Sequence, residues 1–278
     1  MNLLLAIFIA AFGAAIGSYV GVLIFRIPRG ISTVFPGSFC GHCRHKLKPW
    51  HNVPVVSWLW LRGKCGFCRK PIGLRCFVLE VVFAMAALAI YQRFGVSVAA
   101  VERFIFFTIL VSLAYIDLEY FLLPLSLLIS LLIAGLSFAV IYHLFPHFYV
   151  ATSWLEAFWL FPKTDQIFFD RVIGGVLGFV ILAAVNGLGT VWLRRTGRLL
   201  PGQWAMGWGD PTLVAGLGTF VGAGYLCLLL VLGSTLGAIY GLLMKALGGR
   251  AAAGEDVPVG AVPYGTFLAL AGIFIYLF

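Results

Sequence analysis

The stretch LLPLSLLISLLIAGLSFAVIYHL, residues 122–144, runs for 23 residues without an Asp, Glu, Lys or Arg. About 20 apolar residues in a helix cross the hydrocarbon core of a bilayer, so this segment is long enough to span. The same character extends outward from it. Hydrophobic residues make up 62% of the 278, charged residues 10%, and the mean hydropathy is +1.04, whereas soluble domains are roughly half apolar and a quarter charged. Further apolar segments cover residues 3–25, 77–91, 104–116, 172–193, 212–221, 225–244 and 263–278. The chain therefore reads as an all-α polytopic membrane protein of about eight transmembrane helices. Met1-Asn2 provides no basic region ahead of the first segment, which reads as a retained helix and not a cleaved signal. The segment 212–221 is the shortest. Its glycines Gly216, Gly218, Gly222 and Gly224 are compatible with a helix, a turn with close packing, or a re-entrant segment.

Charge orients the spans. Between Arg26 and Arg75 lie ten Lys and Arg residues and no acid, which places this loop in the cytoplasm by the positive-inside rule. With eight alternating spans, Arg194, Arg195, Arg198, Lys245 and Arg250 fall on the same side. The loop carrying Glu156, Asp165 and Asp170 falls outside. The basic loop has no recognition-helix pattern and suits apposition to anionic lipid, not nucleic acid.

Two acids stand at the ends of apolar segments: Asp117 in YIDLE, residues 115–119, and Asp210 in GWGD, residues 207–210. A carboxylate beside hydrocarbon is costly, and one held there marks a functional site. In this topology both face the cytoplasmic edge. Two carboxylates sharing one site repel, so one stays protonated while the other activates water, which is the chemistry of an aspartic peptidase. Glu119 competes for the role of partner, but on a helix it lies about 200° round from Asp117. Gly207 and Gly209 let another chain approach the backbone ahead of Asp210. A transporter binding protons or cations at the two acids is the rival reading from another class, and a noncatalytic assembly protein is a third.

The basic loop holds Cys40-Gly-His-Cys43 and Cys65-Gly-Phe-Cys68, two CxxC pairs separated by 21 residues. This is the spacing of a structural zinc site built from two knuckles, each presenting two thiolates to one tetrahedral metal. A reducing compartment disfavours two disulfides. His42, His45 and His51 are spare ligands that read as loop packing, while Cys76 and Cys227 read as small buried hydrophobes.

The double CxxC, Asp117 followed by Pro124, and the Gly207-to-Asp210 motif together resemble the prepilin leader peptidases of type IV pilus and type II secretion systems. The resemblance covers most of the chain. It includes Gly17-Ser18-Tyr19, Arg26-Ile-Pro28, Pro49, Trp50, Asn52, Pro54, Ser57, Trp58, Leu61 to Cys65, Arg75, Glu80, Gly174-Gly175, Gly178, Met206 and Pro263-Tyr-Gly265. It implies a GxGD-type aspartic endopeptidase of the bacterial inner membrane, with Asp117 and Asp210 as the catalytic pair at the cytoplasmic face. Its substrates would be prepilins and pseudopilins. For members with the zinc loop it also implies S-adenosylmethionine-dependent N-methylation of the new amino terminus. The implied domains are a first helix (1–25), a zinc-binding loop (26–76) that joins that helix as the methyltransferase unit, and a seven-helix peptidase domain (77–278). Three residues depart from the family pattern: Gly21 in place of Asn, Leu125 in place of Asp and Thr212 in place of Lys. No GxGxxG follows a strand, so residues binding the methyl donor are not assigned.

Overall fold

The computed structural model describes residues 3–149, 166–200, 202–247 and 262–277, and among them there is no β-strand, only two isolated bridges. The loop residues Glu156, Asp165 and Arg250 lie outside the described residues. The chain forms two compact units, Met1–Ala100 and Val101–Phe278.

In the first unit, α1 (Leu3–Arg26) packs along α3 (Leu74–Phe94), and the loop between them carries the short α2 (Val56–Trp60). Two glycines one turn apart set the α1–α3 contact. A Cβ on Gly13 would lie 2.5 Å from the Phe83 carbonyl oxygen, and one on Gly17 would lie 2.6 Å from that of Leu79. Lipid gives helices no hydrophobic reason to associate, so backbone-to-backbone packing through small residues supplies the attraction. At the end of α1 the buried Arg26 turns its guanidinium onto the Ser32 and Gly37 carbonyls, at 2.9 and 3.3 Å, which ties the loop to the helix.

The second unit contains α4 (Val98–Tyr120), α5 (Leu125–Leu144), α6 (Ile167–Arg195), α7 (Gly209–Ala246) and α8 (Tyr264–Leu277). Six helices among the described residues are long and apolar enough to cross a membrane: α1, α3, α4, α5, α6 and the part of α7 from Leu226 to Ala246. The 14-residue α8 and the first part of α7 are shorter.

α7 is broken at Gly222, whose φ of 75° and ψ of 173° belong to no helix. Its contacts show that the chain reverses there. The arm 209–221 runs antiparallel to α6, with Val214 against Gly178, Gly218 against Gly174, and Gly222 beside Asp170 in the first turn of α6. Twelve residues later Ser234 is back level with the start of α8, its hydroxyl 3.0 Å from that of Tyr264. The other end of α8, at Tyr276, packs on Phe220 near the break. Asp170 accepts the Ala223 N–H at 3.2 Å and so caps the returning arm, which has lost its own preceding turn. Asp170 is thus a structural cap and not only a loop acid. The two arms correspond to the separate segments 212–221 and 225–244 of the sequence.

α4 and α6 are longer than their apolar windows because the charges that interrupt the hydropathy are paired. Glu102 is fully buried and accepts from Arg171 Nη1 and from the Tyr142 hydroxyl, both at 2.6 Å. Arg103 Nη1 stands 3.6 Å from the same carboxylate. Arg171 also reaches the Tyr276 hydroxyl at 3.1 Å, so this one cluster joins α4, α5, α6 and α8. Removing a single partner from such a pair leaves an uncompensated buried charge, at a cost of about 3–5 kcal/mol.

Candidate functional site

At the end of the second unit opposite the Glu102 cluster, three helix termini converge. α4 delivers Asp117 in its last turn, α7 delivers Asp210 as its second residue, and α8 begins at Tyr264. Leu123, in the turn after α4, holds them together. A Cβ on Gly209 would lie 2.9 Å from Leu123 Cβ, and one on Gly265 would lie 3.0 Å from Leu123 Cδ1 and 3.2 Å from Asp117 Oδ2. Both glycines are therefore needed where the helix starts touch Leu123. At Gly207 the nearest atom to an added Cβ is the Gly209 nitrogen at 4.0 Å, so packing does not explain that glycine.

Asp117 is 5% exposed, and its Oδ2 accepts the Thr266 backbone N–H at 2.7 Å and the Thr266 hydroxyl at 2.9 Å. That hydroxyl also lies 3.0 Å from the Ala114 carbonyl, so its single proton serves either acceptor. The carboxylate sits on the first turn of α8, where backbone N–H groups lack helical partners and a negative charge is favoured. Asp210 is half-buried and interacts electrostatically with Asp117 and with Tyr264. The two acids thus lie within electrostatic reach of each other in unequal surroundings, Asp117 being held by two donors. Glu119 is half-buried two residues along α4.

The approach to Asp210 is shaped by residues that sequence reasoning did not single out. Buried Asn186 and Thr190, one turn apart on α6, accept the N–H groups of Met206 and Ala205 at 3.0 and 2.9 Å. They hold the bend that leads into Gly207. The available signal was an amide and a hydroxyl at i and i+4 in an otherwise apolar helix, where polar side chains need a partner. Thr266, the anchor of Asp117, follows Gly265 directly and was passed over because it lies in an apolar segment. Thr266→Val keeps the N–H and removes the hydroxyl, and is expected to lower the turnover of this site about tenfold with little change in substrate affinity, the loss of one charge-assisted bond. Steady-state kinetics on a cognate peptide separate the two quantities.

In the first unit the four sulfurs of Cys40, Cys43, Cys65 and Cys68 all lie within 4.8 Å of one another, and Cys40 and Cys68 are 3.8 Å apart. A tetrahedral site with metal–sulfur bonds of about 2.3 Å has an S···S edge of about 3.8 Å, so the donor set suits zinc. Two knuckles of the same build present them. In the first, Cys40 N–H donates to the His45 carbonyl and Arg44 N–H to the Cys40 carbonyl; in the second, Cys65 N–H donates to Lys70 and Arg69 N–H to Cys65. Arg44 and Arg69 take the matching left-handed positions, with φ of 55° and 59°. Burial raises the Cys40 thiol, but the backbone N–H groups of Cys43 and His42 and the thiols of Cys65 and Cys43 outweigh it and bring the thiol down to about 6. The neighbouring Cys43 thiol, despite the His45 backbone N–H, is pushed up to about 11 by burial and by Cys40 and Cys68, so the first thiolate of the cluster forms at Cys40. His45 and His51 pack their rings on Phe67, at 3.9 and 5.4 Å, and are not among the clustered ligands. Contrary to expectation, Cys76 and Cys227 are exposed and not buried; Cys76 turns toward α1, its Sγ 4.0 Å from where a Cβ on Gly21 would lie.

The departures from the family pattern are placed as follows. Leu125 opens α5 and is exposed, Thr212 donates to the Trp208 carbonyl at 2.9 Å, and Gly21 faces α3 with about 4 Å of space beyond it.

Residues 11–94 match the family model described as Bacterial Peptidase A24 N-terminal domain, and residues 104–242 match the Type IV leader peptidase family. Among curated proteins, a prepilin leader peptidase/N-methyltransferase of Myxococcus xanthus is 32% identical over 94% of this chain and 70% of its own length. Proteins of the same name from Pseudomonas aeruginosa and Stutzerimonas stutzeri are 30% and 29% identical, each over 94% of this chain and 86% of their own lengths. No solved structure matches.

Proposed function

This chain belongs to the type IV leader peptidase family, and from that premise we propose that Asp117 and Asp210 are the catalytic pair of a membrane aspartic endopeptidase that removes the leader from prepilins and pseudopilins. The observation that supports the reading is the convergence of the three helix termini that carry the two acids within electrostatic reach of each other, with Asp117 held by Thr266. One proton is shared by the pair. The ionised carboxylate takes a proton from water as the water oxygen attacks the scissile carbonyl carbon, and the protonated partner donates to the oxygen on which charge develops. Collapse of the tetrahedral carbon breaks the C–N bond, and the departing nitrogen takes a proton from the pair. The apparent pKa values of such a site belong to the pair and not to either acid.

The ten cations of the loop after α1 support a location in the bacterial inner membrane with the acid pair at the cytoplasmic edge. A substrate whose apolar segment stays in lipid then presents its cleavage point where water can reach. In the same reading the loop lies against anionic lipid and not nucleic acid, the four cysteines hold a structural zinc ion, and the two shorter helical segments bring the crossings to eight. The relatives' names support a second activity, N-methylation of the newly exposed amine, for which S-adenosylmethionine supplies a methyl group carried on sulfonium. We assign that activity to the first helix with the 26–76 loop, and cleavage to the 77–278 region that contains both acids.

Incubating the purified chain with a prepilin-like peptide and S-adenosylmethionine, and weighing the products by mass spectrometry, reports both steps. Leader loss with a gain of one methyl on the mature fragment is the expected result, and an intact peptide would contradict the reading. The two steps are expected to be separable. Asp210→Asn protein given a precleaved substrate should still methylate it, because proton transfer by carboxylates plays no part in moving a methyl group from sulfur to nitrogen. Loss of that methylation in well-folded Asp210→Asn protein would argue for a single shared site.

A further inference from the structure

The first unit encloses a cavity of about 410 Å³, within the range of roughly 300–1,000 Å³ typical of small-molecule sites. Its walls come from α1 (Ser18, Gly21), the first knuckle (Phe39, Cys40) and the segment between the knuckles (His51, Trp58). Aromatic and aliphatic surface dominates, and the polar atoms are few.

Two polar atoms of its lining side chains, His51 Nδ1 and Trp58 Nε1, are buried without a hydrogen-bond partner. A buried polar atom left unpaired costs about 1–3 kcal/mol, so two in one cavity mark where a ligand supplies the missing partners. The indole cannot turn away to find another. It stacks on Phe77 with 4.5 Å between ring centroids, and Gly63 packs so closely that a Cβ there would lie 2.8 Å from Trp58 Cζ2.

Backbone strain lies beside the same cavity. Val55, between Asn52 and Ser57 of the lining, has φ 63° and ψ −52°, a conformation unfavourable for a β-branched residue. Glu80, a buried lining residue on α3, fixes it by accepting the Val55 N–H at 2.6 Å. Strain of this kind persists where surrounding contacts over-determine it, and it collects at ligand sites.

We propose that this cavity binds the methyl donor, an adenosine-containing sulfonium, with Trp58 Nε1–H and His51 Nδ1 as its polar contacts; the proposal rests on the methyl-transfer reading above. The chemistry of the lining fits each part of such a molecule. Aromatic rings accept a flat heterocycle and a sulfonium cation, Glu80 offers a carboxylate to the cation, Arg26, Lys70 and Arg75 of the lining complement the carboxylate of the amino-acid part, and a donor with an adjustable imidazole nitrogen suits the edge of a purine. Cys40 and Cys65 belong both to the lining and to the sulfur cluster, so a metal held there also shapes the cavity wall.

The test uses the full chain in detergent. Isothermal titration with S-adenosylhomocysteine is expected to show one site per chain, weakened about tenfold in Trp58→Phe, which keeps the ring and loses the donor. Ultraviolet cross-linking with methyl-tritiated S-adenosylmethionine, followed by peptide mapping, is expected to place the label between residues 18 and 80. Gly21→Phe projects a ring into the cavity and should abolish both signals while the cysteines retain their metal. Label confined to residues 101–278, or undiminished affinity in both variants, would overturn the assignment and leave the methyl-transfer reading standing. Absence of any binding by unmodified chain that still cleaves its leader peptide would remove methyl transfer as well.

Discussion

Asp117→Asn and Asp210→Asn should each reduce leader cleavage to background, a loss of at least about 10⁴-fold of the kind produced by removing one member of a catalytic pair, while the protein remains folded and inserted. Neither carboxyl alone can both take a proton from water and give one to the substrate. Size and hydrogen-bonding capacity are nearly conserved: an amide oxygen at position 117 still accepts the Thr266 N–H and hydroxyl that Asp117 receives at 2.7 and 2.9 Å. A folding defect is therefore not expected, and cleavage assays on detergent-purified variants with matched elution profiles and helix content measure the chemistry alone. Glu119→Gln should change cleavage less than threefold, since that residue lies about 200° round the helix from Asp117. Equal damage from Glu119→Gln would place the partner acid on α4.

The second large effect concerns the sulfur cluster. Replacing any one of Cys40, Cys43, Cys65 or Cys68 by Ser should lower bound zinc well below one per chain, because the four sulfurs form a closed set within 4.8 Å and a structural site depends on all its ligands. Structural zinc contributes folding free energy directly, about 10–16 kcal/mol in small zinc-dependent peptides near neutral pH. The knuckles contain only a few turns and two isolated bridges, Phe39 with Lys46 and Lys64 with Pro71, and little core of their own. Loss of metal should therefore open the loop to limited proteolysis between residues 30 and 73. Elemental analysis and protease mapping read the two consequences separately. Unchanged metal content in all four variants would remove zinc from the account.

The acids, the paired CxxC motifs and the apolar segments were legible because each signal is local. Asp117 and Asp210 stand out against apolar neighbours, and thiols three residues apart announce a shared ion. What stayed hidden depends on partners distant in sequence. Hydropathy ended the third segment's reading at residue 104, yet α4 begins at Val98 because Arg171, 69 residues away, neutralises Glu102. Nothing near Gly222 reveals that Asp170 caps the helix beyond it, the acceptor lying 53 residues from the Ala223 N–H that donates to it. Thr266 is 149 residues from Asp117 and resembles any hydroxyl in a spanning helix, where Ser and Thr usually bond their own backbone. Asn186 and Thr190 were similarly silent, since their acceptor roles emerge only once the segment before Gly207 is brought against α6. Local chemistry marks the candidate groups, whereas the residues that position them are found through the packing.

The most direct measurement of the central claim is binding of a cleavage-junction peptide whose scissile amide is replaced by a hydroxyethylene group. Its tetrahedral carbinol imitates the state that the pair stabilises, and such analogues bind at least about 10²-fold more tightly than substrate. Titration calorimetry on unmodified protein, Asp117→Asn, Asp210→Asn and Glu119→Gln should show tight binding that falls about 100-fold in each aspartate variant and is unchanged in Glu119→Gln. Retained affinity in Asp117→Asn and Asp210→Asn would contradict a shared site formed by the two acids.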